Sequence, residues 1–191
     1  ATFFATHDTP VLEELRAVNT IEIGIHPNFN PLLREDGQKG RTAQSVLDDI
    51  LTIVPEAKAV RSHSVVQSSF LWDMFAKAGL THECNDFIHH ASQMQLKPWH
   101  VWNGLIKAPY FWEDDVACLY GEGFSTQSCL NREGLKIFDF HPIHVYLNTE
   151  TLDRYENSRA SHRDPGSLLQ FRNTDQKGTR DALLELLEST P

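Results

Sequence analysis

Apolar and polar residues alternate most regularly along Ile21-Glu22-Ile23-Gly24-Ile25-His26. The three isoleucines share one face, and Glu22, Gly24 and His26 share the other. A period of two built on β-branched residues predicts a strand, and this one ends on an imidazole. Pro27 fixes φ where a helical turn can begin, so His26 and Asn30, four apart, fall on one side of that turn. Elsewhere the period lengthens to that of a helix. Thr9 stands as an N-cap and Pro10 at the first helical position, ahead of a stripe of Val11, Leu12, Leu15 and Val18. Thr42 caps a second helix with Val46, Leu47, Ile50, Leu51 and Val54 on its apolar face, and Pro55 ends it. The spacing predicts a third helix over 65–78, carrying Phe70, Leu71, Met74, Phe75 and Ala78 and closed by Gly79. Thr179 caps a last helix whose apolar residues are Ala182, Leu183, Leu186 and Leu187. Short apolar runs at 1–5, 57–60, 80–84, 104–108 and 135–140 complete six predicted strands. Residues 34–41 read as a Gly- and charge-rich loop, 85–102 give no assignable pattern, and 149–176 read as a long polar surface excursion.

Strands and helices alternating at short intervals predict a parallel sheet or a β/α barrel. With 191 residues, one domain spanning 1–191 is the expectation. A net charge of −9 argues against nucleic acid or an anionic membrane as the main partner. No apolar run approaches the roughly 20 residues that span a bilayer, and the start of the chain lacks a charged, apolar, then small-residue leader. Cys84, Cys118 and Cys129 are widely spaced without a Cys-x-x-Cys, which gives neither a disulfide framework nor a thiolate zinc site. A reducing, cytoplasmic compartment fits that usage. Oligomeric state is open, a homo-oligomer included.

The polar residues collect where the strands end. His7 and Asp8 follow the first, His26 and Asn30 the second, Arg61 and His63 the third, and Asn85 and Asp86 the fourth. Trp112, Glu113, Asp114 and Asp115 follow the fifth, and His141 the sixth. In parallel β/α folds the carboxyl ends of the strands share one rim, which is where active sites sit. An imidazole and an amide oxygen past a strand end can hold a divalent metal, or can simply satisfy backbone groups. Asp8 is open between metal ligand and helix cap. The alternation puts Glu22 on the face of His26, where burial would require a partner, Arg61 being nearest in strand order. His141 follows Phe138 and Phe140, an apolar setting that suits a general acid. His144 reads as structural or exposed, the acids 113–115 as a solvated turn, and Tyr110 and Trp112 as sugar-stacking or core residues.

Several of these stretches together resemble polysaccharide deacetylases of the NodB type. That family carries a strand Glu-Ile-Gly-x-His followed by His-x-x-x-His-Pro; here the run is His26-Pro-Asn-Phe-Asn30-Pro31, with Asn in place of the second His. Ala1-Thr-Phe-Phe and its capped helix look like the family's second strand and helix. Ala59-Val-Arg61-Ser-His63 resembles its Arg-x-Pro motif, and Phe138-Asp-Phe140-His141-Pro its apolar-x-apolar-His run. The group annotated for surface-glycan clusters is the nearest likeness. The resemblance implies an irregular or incomplete β/α barrel, entered at the second strand, so that the family's opening Asp-Asp pair is missing. A competing alignment sets His7-Asp8-Thr9-Pro10 on that pair, making His7 the base. The implied activity is a metal-dependent hydrolase of carbon–nitrogen bonds other than peptide bonds, removing an N-acetyl group from a sugar or polysaccharide. A catalytically lapsed sugar-binding or scaffold domain of the same fold is the alternative, with another barrel metal hydrolase behind it. By the resemblance His26, Asn30 and Asp8 would bind a divalent metal, zinc ahead of cobalt or manganese. His141, Arg61, His7 and His63 would serve catalysis, and Tyr110 and Trp112 would contact substrate. A site so poor in carboxylates is expected to bind metal weakly.

Overall fold

In the computed structural model, which describes residues 1–34, 40–123 and 127–189, the alternating stretch becomes a strand on which others assemble in parallel. Most of the loop expected at 34–41 lies outside the described residues. The chain forms two compact units. The first comprises Ala1–Asp86 and Lys97–Pro109, the second Phe87–Leu96 and Tyr110–Pro191.

In the first unit, β1 (Thr2–Ala5) and α1 (Val11–Arg16) lead into β2 (Glu22–Ile25), then α2 (Ala43–Ile53), β3 (Ala59–Val60), α3 (Ser69–Lys77) and β4 (His82–Glu83). A hairpin of β5 (Trp99–His100) and β6 (Ile106–Lys107) completes it. The sheet order is β1-β2-β3-β4-β6-β5, parallel except for β5, and among the described residues it is open, with β1 at one edge. The register places Ala5, Ile25, Val60, Glu83 and Lys107 in one row across five strands. Ile23, Ile25 and Val60 join Leu47, Ile50, Leu71 and Phe75 in the core, as the alternation and the helical stripes require. On the other face Gly24 is obligatory. A Cβ there would lie 2.7 Å from the Phe4 ring and 2.9 Å from the Ala59 carbonyl oxygen.

Several boundaries differ from the sequence expectation. The N-cap position of α1 is Pro10 rather than Thr9, with no side-chain cap bond, and the helix stops at Arg16, leaving Val18 43% exposed. Thr42 does cap α2, through a reciprocal pair with Ser45. The third helix starts later than 65 because Ser64 and Val65 both have positive φ, in a separate 3₁₀ turn; Ser68 then caps α3. Glu22 is exposed and accepts a hydrogen bond from the Thr2 hydroxyl at 3.1 Å, so the expected burial against Arg61 does not occur. It stands at the first position of β2, where the strand has only begun to enter the sheet.

The second unit contains β7 (Trp112–Glu113), α4 (Asp114–Tyr120), α5 (Gln127–Leu130), β8 (Phe138–Asp139), α6 (Pro142–Leu147), α7 (Leu152–Ser158), α8 (Pro165–Leu168) and α9 (Thr179–Ser189). β7 and β8 pair in parallel, Trp112 opposite Phe138 and Glu113 opposite Asp139. Around them Leu96, Phe111, Trp112, Ala117, Cys129 and Ala182 form a second core. The expected excursion at 149–176 instead folds into α7 and α8, each started by a polar residue (Thr151, Asp164) that periodicity alone undervalues. Asn148 ends α6 in the left-handed region, and its side-chain oxygen accepts from the Arg180 and Asp181 backbone N–H groups, capping α9. Gly178 lets Asn148 approach, since a Cβ there would lie 2.2 Å from the Asn148 carbonyl oxygen.

Candidate active site

Register brings chemistry together at the ends of β7 and β8. Glu113 and Asp139 are opposed on neighbouring strands, β7 runs straight into α4 so that Asp114 opens that helix, and β8 leads through Phe140 to His141. His141 stands at the N-cap of α6, with Pro142 fixing the first helical residue. Asp114 is fully buried and grips His141 twice. Its Oδ2 accepts from the His141 backbone N–H at 2.8 Å, and its Oδ1 meets Nδ1 of the ring at 2.7 Å. That contact places a proton on Nδ1 and turns Nε2 toward Glu113, whose Oε1 is 3.9 Å away. The Tyr110 hydroxyl donates to the other Glu113 oxygen at 3.0 Å.

Two forces act on the His141 ring. Burial disfavours its charge, but the Asp114 hydrogen bond and the charges of Asp114, Asp139 and Asp115 outweigh burial and push its pKa up to about 9. His141 is therefore an imidazolium at neutral pH, with a donor on each nitrogen. His144, buried behind it, is shifted the opposite way by burial and by the nearby His141 charge, and is a neutral neighbour. Burial raises the Asp115 carboxyl, helped by Glu113. Burial, with Asp114 and Asp115, also lifts the Cys118 thiol to about 12, which makes it inert as a nucleophile.

In the first unit, His26 and His63 meet at 3.3 Å, Nε2 to Nδ1, with their rings edge-on. The Asn30 amide donates to the Ser64 hydroxyl at 3.0 Å. Asp8 and His7 lie exposed beyond the end of β1, and Nδ1 of His7 pairs with the Thr6 hydroxyl at 2.7 Å. Among the described residues, no cluster of three His, Cys, Asp or Glu includes His26 or His63. Imidazole nitrogens and an amide oxygen suit zinc in donor type, and among the expected ligands the formal negative charge comes from exposed Asp8. In donor type these residues fit a divalent ion. Arg61 is buried at the end of β3. A polar chain runs from buried to exposed groups: buried Lys107 forms salt bridges with buried Glu83 and half-buried Asp86, buried Asn85 hydrogen-bonds Glu83, and Lys107 donates to exposed Gln67.

The sequence singled out His141 and the rim, but missed the part played by five members of these networks. Asp114 and Glu113 looked like a solvated turn, yet Asp114 is the first residue of a helix whose apolar periodicity begins at Val116. Asp139 was hidden between two phenylalanines, and Glu83 and Lys107 between strand residues. Tyr110 and Trp112 are only 1% and 3% exposed, so both rings lie in the core and Tyr110 reaches the site through its hydroxyl alone.

A third cluster in the second unit has metal-like composition: His89 and His90 share the carboxylate of Glu122 at 3.0 and 2.6 Å. Nδ1 of His89, however, accepts the Ala91 backbone N–H at 3.2 Å, which leaves its proton on Nε2. His90 Nε2 hydrogen-bonds Glu122, whereas the buried Nε2 of His89 lies within ion-pair distance of the same carboxylate without a hydrogen-bond geometry.

A family model described as WbmS-like polysaccharide deacetylase matches residues 1–159. A solved structure, WbmS of Bordetella bronchiseptica, assigned as a polysaccharide deacetylase involved in O-antigen biosynthesis, is 44% identical with a TM-score of 0.92. The alignment covers 98% of this chain and 77% of that one. No curated protein matches.

Proposed function

The chain belongs to the WbmS-like polysaccharide deacetylase family, and from that premise we propose that it hydrolyses an N-acetyl or related acyl group on a sugar residue of a polysaccharide. The observation that carries the reading is the 2.7 Å contact between His141 and buried Asp114. It holds a cationic imidazole with one N–H committed to Asp114 and the other, on Nε2, available as a proton donor. In the proposed reaction Glu113 takes a proton from the attacking water, whose oxygen bonds to the acyl carbon. His141 then gives its Nε2 proton to the amine nitrogen as the carbon–nitrogen bond breaks, releasing acetate and the free amino sugar. Tyr110 fixes the Glu113 carboxylate through the hydroxyl bond at 3.0 Å.

Metal dependence is part of the reading. His26, Asn30 and Asp8 are the residues that would hold a divalent ion, zinc ahead of cobalt or manganese, and His63 lies beside His26. Such an ion, when bound, supplies Lewis acidity toward a carbonyl oxygen and lowers the pKa of a bound water. The lapsed, sugar-binding alternative draws support from the same carboxylate-poor donor set.

The test is acetate release from an N-acetylated polysaccharide. His141→Ala should lower turnover by roughly 10²–10⁴ while leaving metal content unchanged. Unchanged turnover in that variant would remove His141 from the reaction, and no acetate from the parent chain would favour the lapsed alternative.

A further inference from the structure

The turn between β5 and β6 presents an indole to solvent, and hydrogen bonds fix the backbone that carries it. The Val101 N–H bonds the Leu105 carbonyl at 2.8 Å, and the Gly104 N–H bonds that of Val101 at 3.0 Å. Gly104 takes φ +89°, which closes the turn and sets Trp102 at its apex, 68% exposed. Asn103 locks the turn from both sides, its amide donating to Asp73 and its oxygen accepting from the Leu105 N–H, each at 3.1 Å.

The Trp102 ring lies 5.5 Å from that of Trp72 on α3, tilted by 60°. Trp72 is positioned by its ring neighbours: Lys107 Nζ sits 4.7 Å from its centroid, while its Nε1 is buried without a hydrogen-bond partner. Trp99, on the same hairpin, is 43% exposed. An indole carried on a closed turn and touching a second indole, yet open to water, gains little from packing in the free protein.

We propose that Trp102, backed by Trp72, forms a stacking platform for an uncharged pyranose residue of an N-acetylated polysaccharide, a subsite that holds the polymer apart from the reacting group. Pyranose rings present a C–H face to an aromatic ring, and their hydroxyls need polar atoms at its rim, which the second oxygen of Asp73 supplies. A second copy of the chain fits the platform poorly, because two chains of net charge −9 repel each other. The same charge disfavours an acidic polymer. The choice of ligand rests on the deacetylase reading, whereas the platform geometry does not.

The experiment uses the His141→Ala chain, so that binding is read without turnover and failure of the catalytic reading leaves it unaffected. Intrinsic tryptophan fluorescence is titrated with the β-1,4-linked hexamer of N-acetylglucosamine and with the monomer. We expect saturable binding, tighter for the hexamer, weakened about tenfold by adding Trp102→Ala and largely restored by Trp102→Phe. Equal hexamer affinity with and without Trp102 overturns the proposal, as does no response to the hexamer. Sedimentation that shows a dimer lost in Trp102→Ala also overturns it, by assigning the platform to a second copy. Melting curves for both variants confirm that the chain is folded when binding is lost.

Discussion

His141 carries its charge because neighbouring acids outweigh burial, and one substitution separates the two. Asp114→Asn keeps the shape and a hydrogen-bond acceptor but removes the dominant negative charge, so burial prevails. The ring pKa, raised from 6.5 to about 9 in the native protein, should fall toward or below 6.5. Activity that needs the protonated ring should then lose its alkaline limb near pH 9 and show one at least two units lower, in a pH profile of kcat/KM. A limb that stays near pH 9 would assign it to another group. The sign for stability follows from the same shift. A histidine whose folded pKa is raised stabilises fully below its unfolded value of about 6.5, and that contribution fades as pH rises through about 9. In the sequence this residue was visible through its apolar-x-apolar-His-Pro setting. Asp114 was not, because nothing local distinguishes an acid that opens a helix and is buried by residues 27 positions away from one in a solvated turn.

Between elements, the strongest polar link is the cross-strand pair of Glu83 on β4 and Lys107 on β6, register partners with side chains 0% and 2% exposed. Burial raises the Glu83 carboxyl pKa, and Lys107 opposes that shift. Removing one partner strands the other charge, so Lys107→Met should destabilise the chain by about 3–5 kcal/mol in denaturant unfolding. Lys107→Met with Glu83→Leu should recover much of that loss; a single variant as stable as the parent would mean that water reaches the pair. The sequence showed β4 and β6 as apolar runs. Their polar cross-strand pair depends on a register between residues 24 apart, which no local period encodes. Helix ends fared unevenly for the same kind of reason. Thr42 and Gly79 act through bonds and φ values within a few residues and were legible, whereas the start of α3 was set by the positive φ of Ser64 and Val65.

At the scale of the whole chain, the order of strands and helices across the first unit follows from alternating periods, because each β/α step is local and the parallel pairing repeats. The division into two units was not legible: residues 87–96 join the second unit and 97–109 return to the first, and that exchange is written in contacts rather than in composition. No helix among the described residues is long and apolar enough to cross a membrane.

The acids around His141 have a consequence for the step that follows the chemistry. Hydrolysis converts an uncharged amide into an ammonium group, and in the proposed reaction it does so beside Glu113, Asp114, Asp115 and Asp139. The carboxylates that keep the imidazole protonated then attract the newborn cation, while acetate is repelled and leaves first. Turnover at low ionic strength should therefore be limited by departure of the amine. Raising salt from about 0.01 M to about 0.15 M shortens the screening length from roughly 30 to 8 Å, and kcat should climb with it. Deacetylated oligosaccharide should inhibit more strongly than its acetylated parent in dilute buffer, and lose that advantage in salt. A kcat indifferent to salt, together with no inhibition by the free amine, would mean that the enzyme releases its product as readily as it makes it.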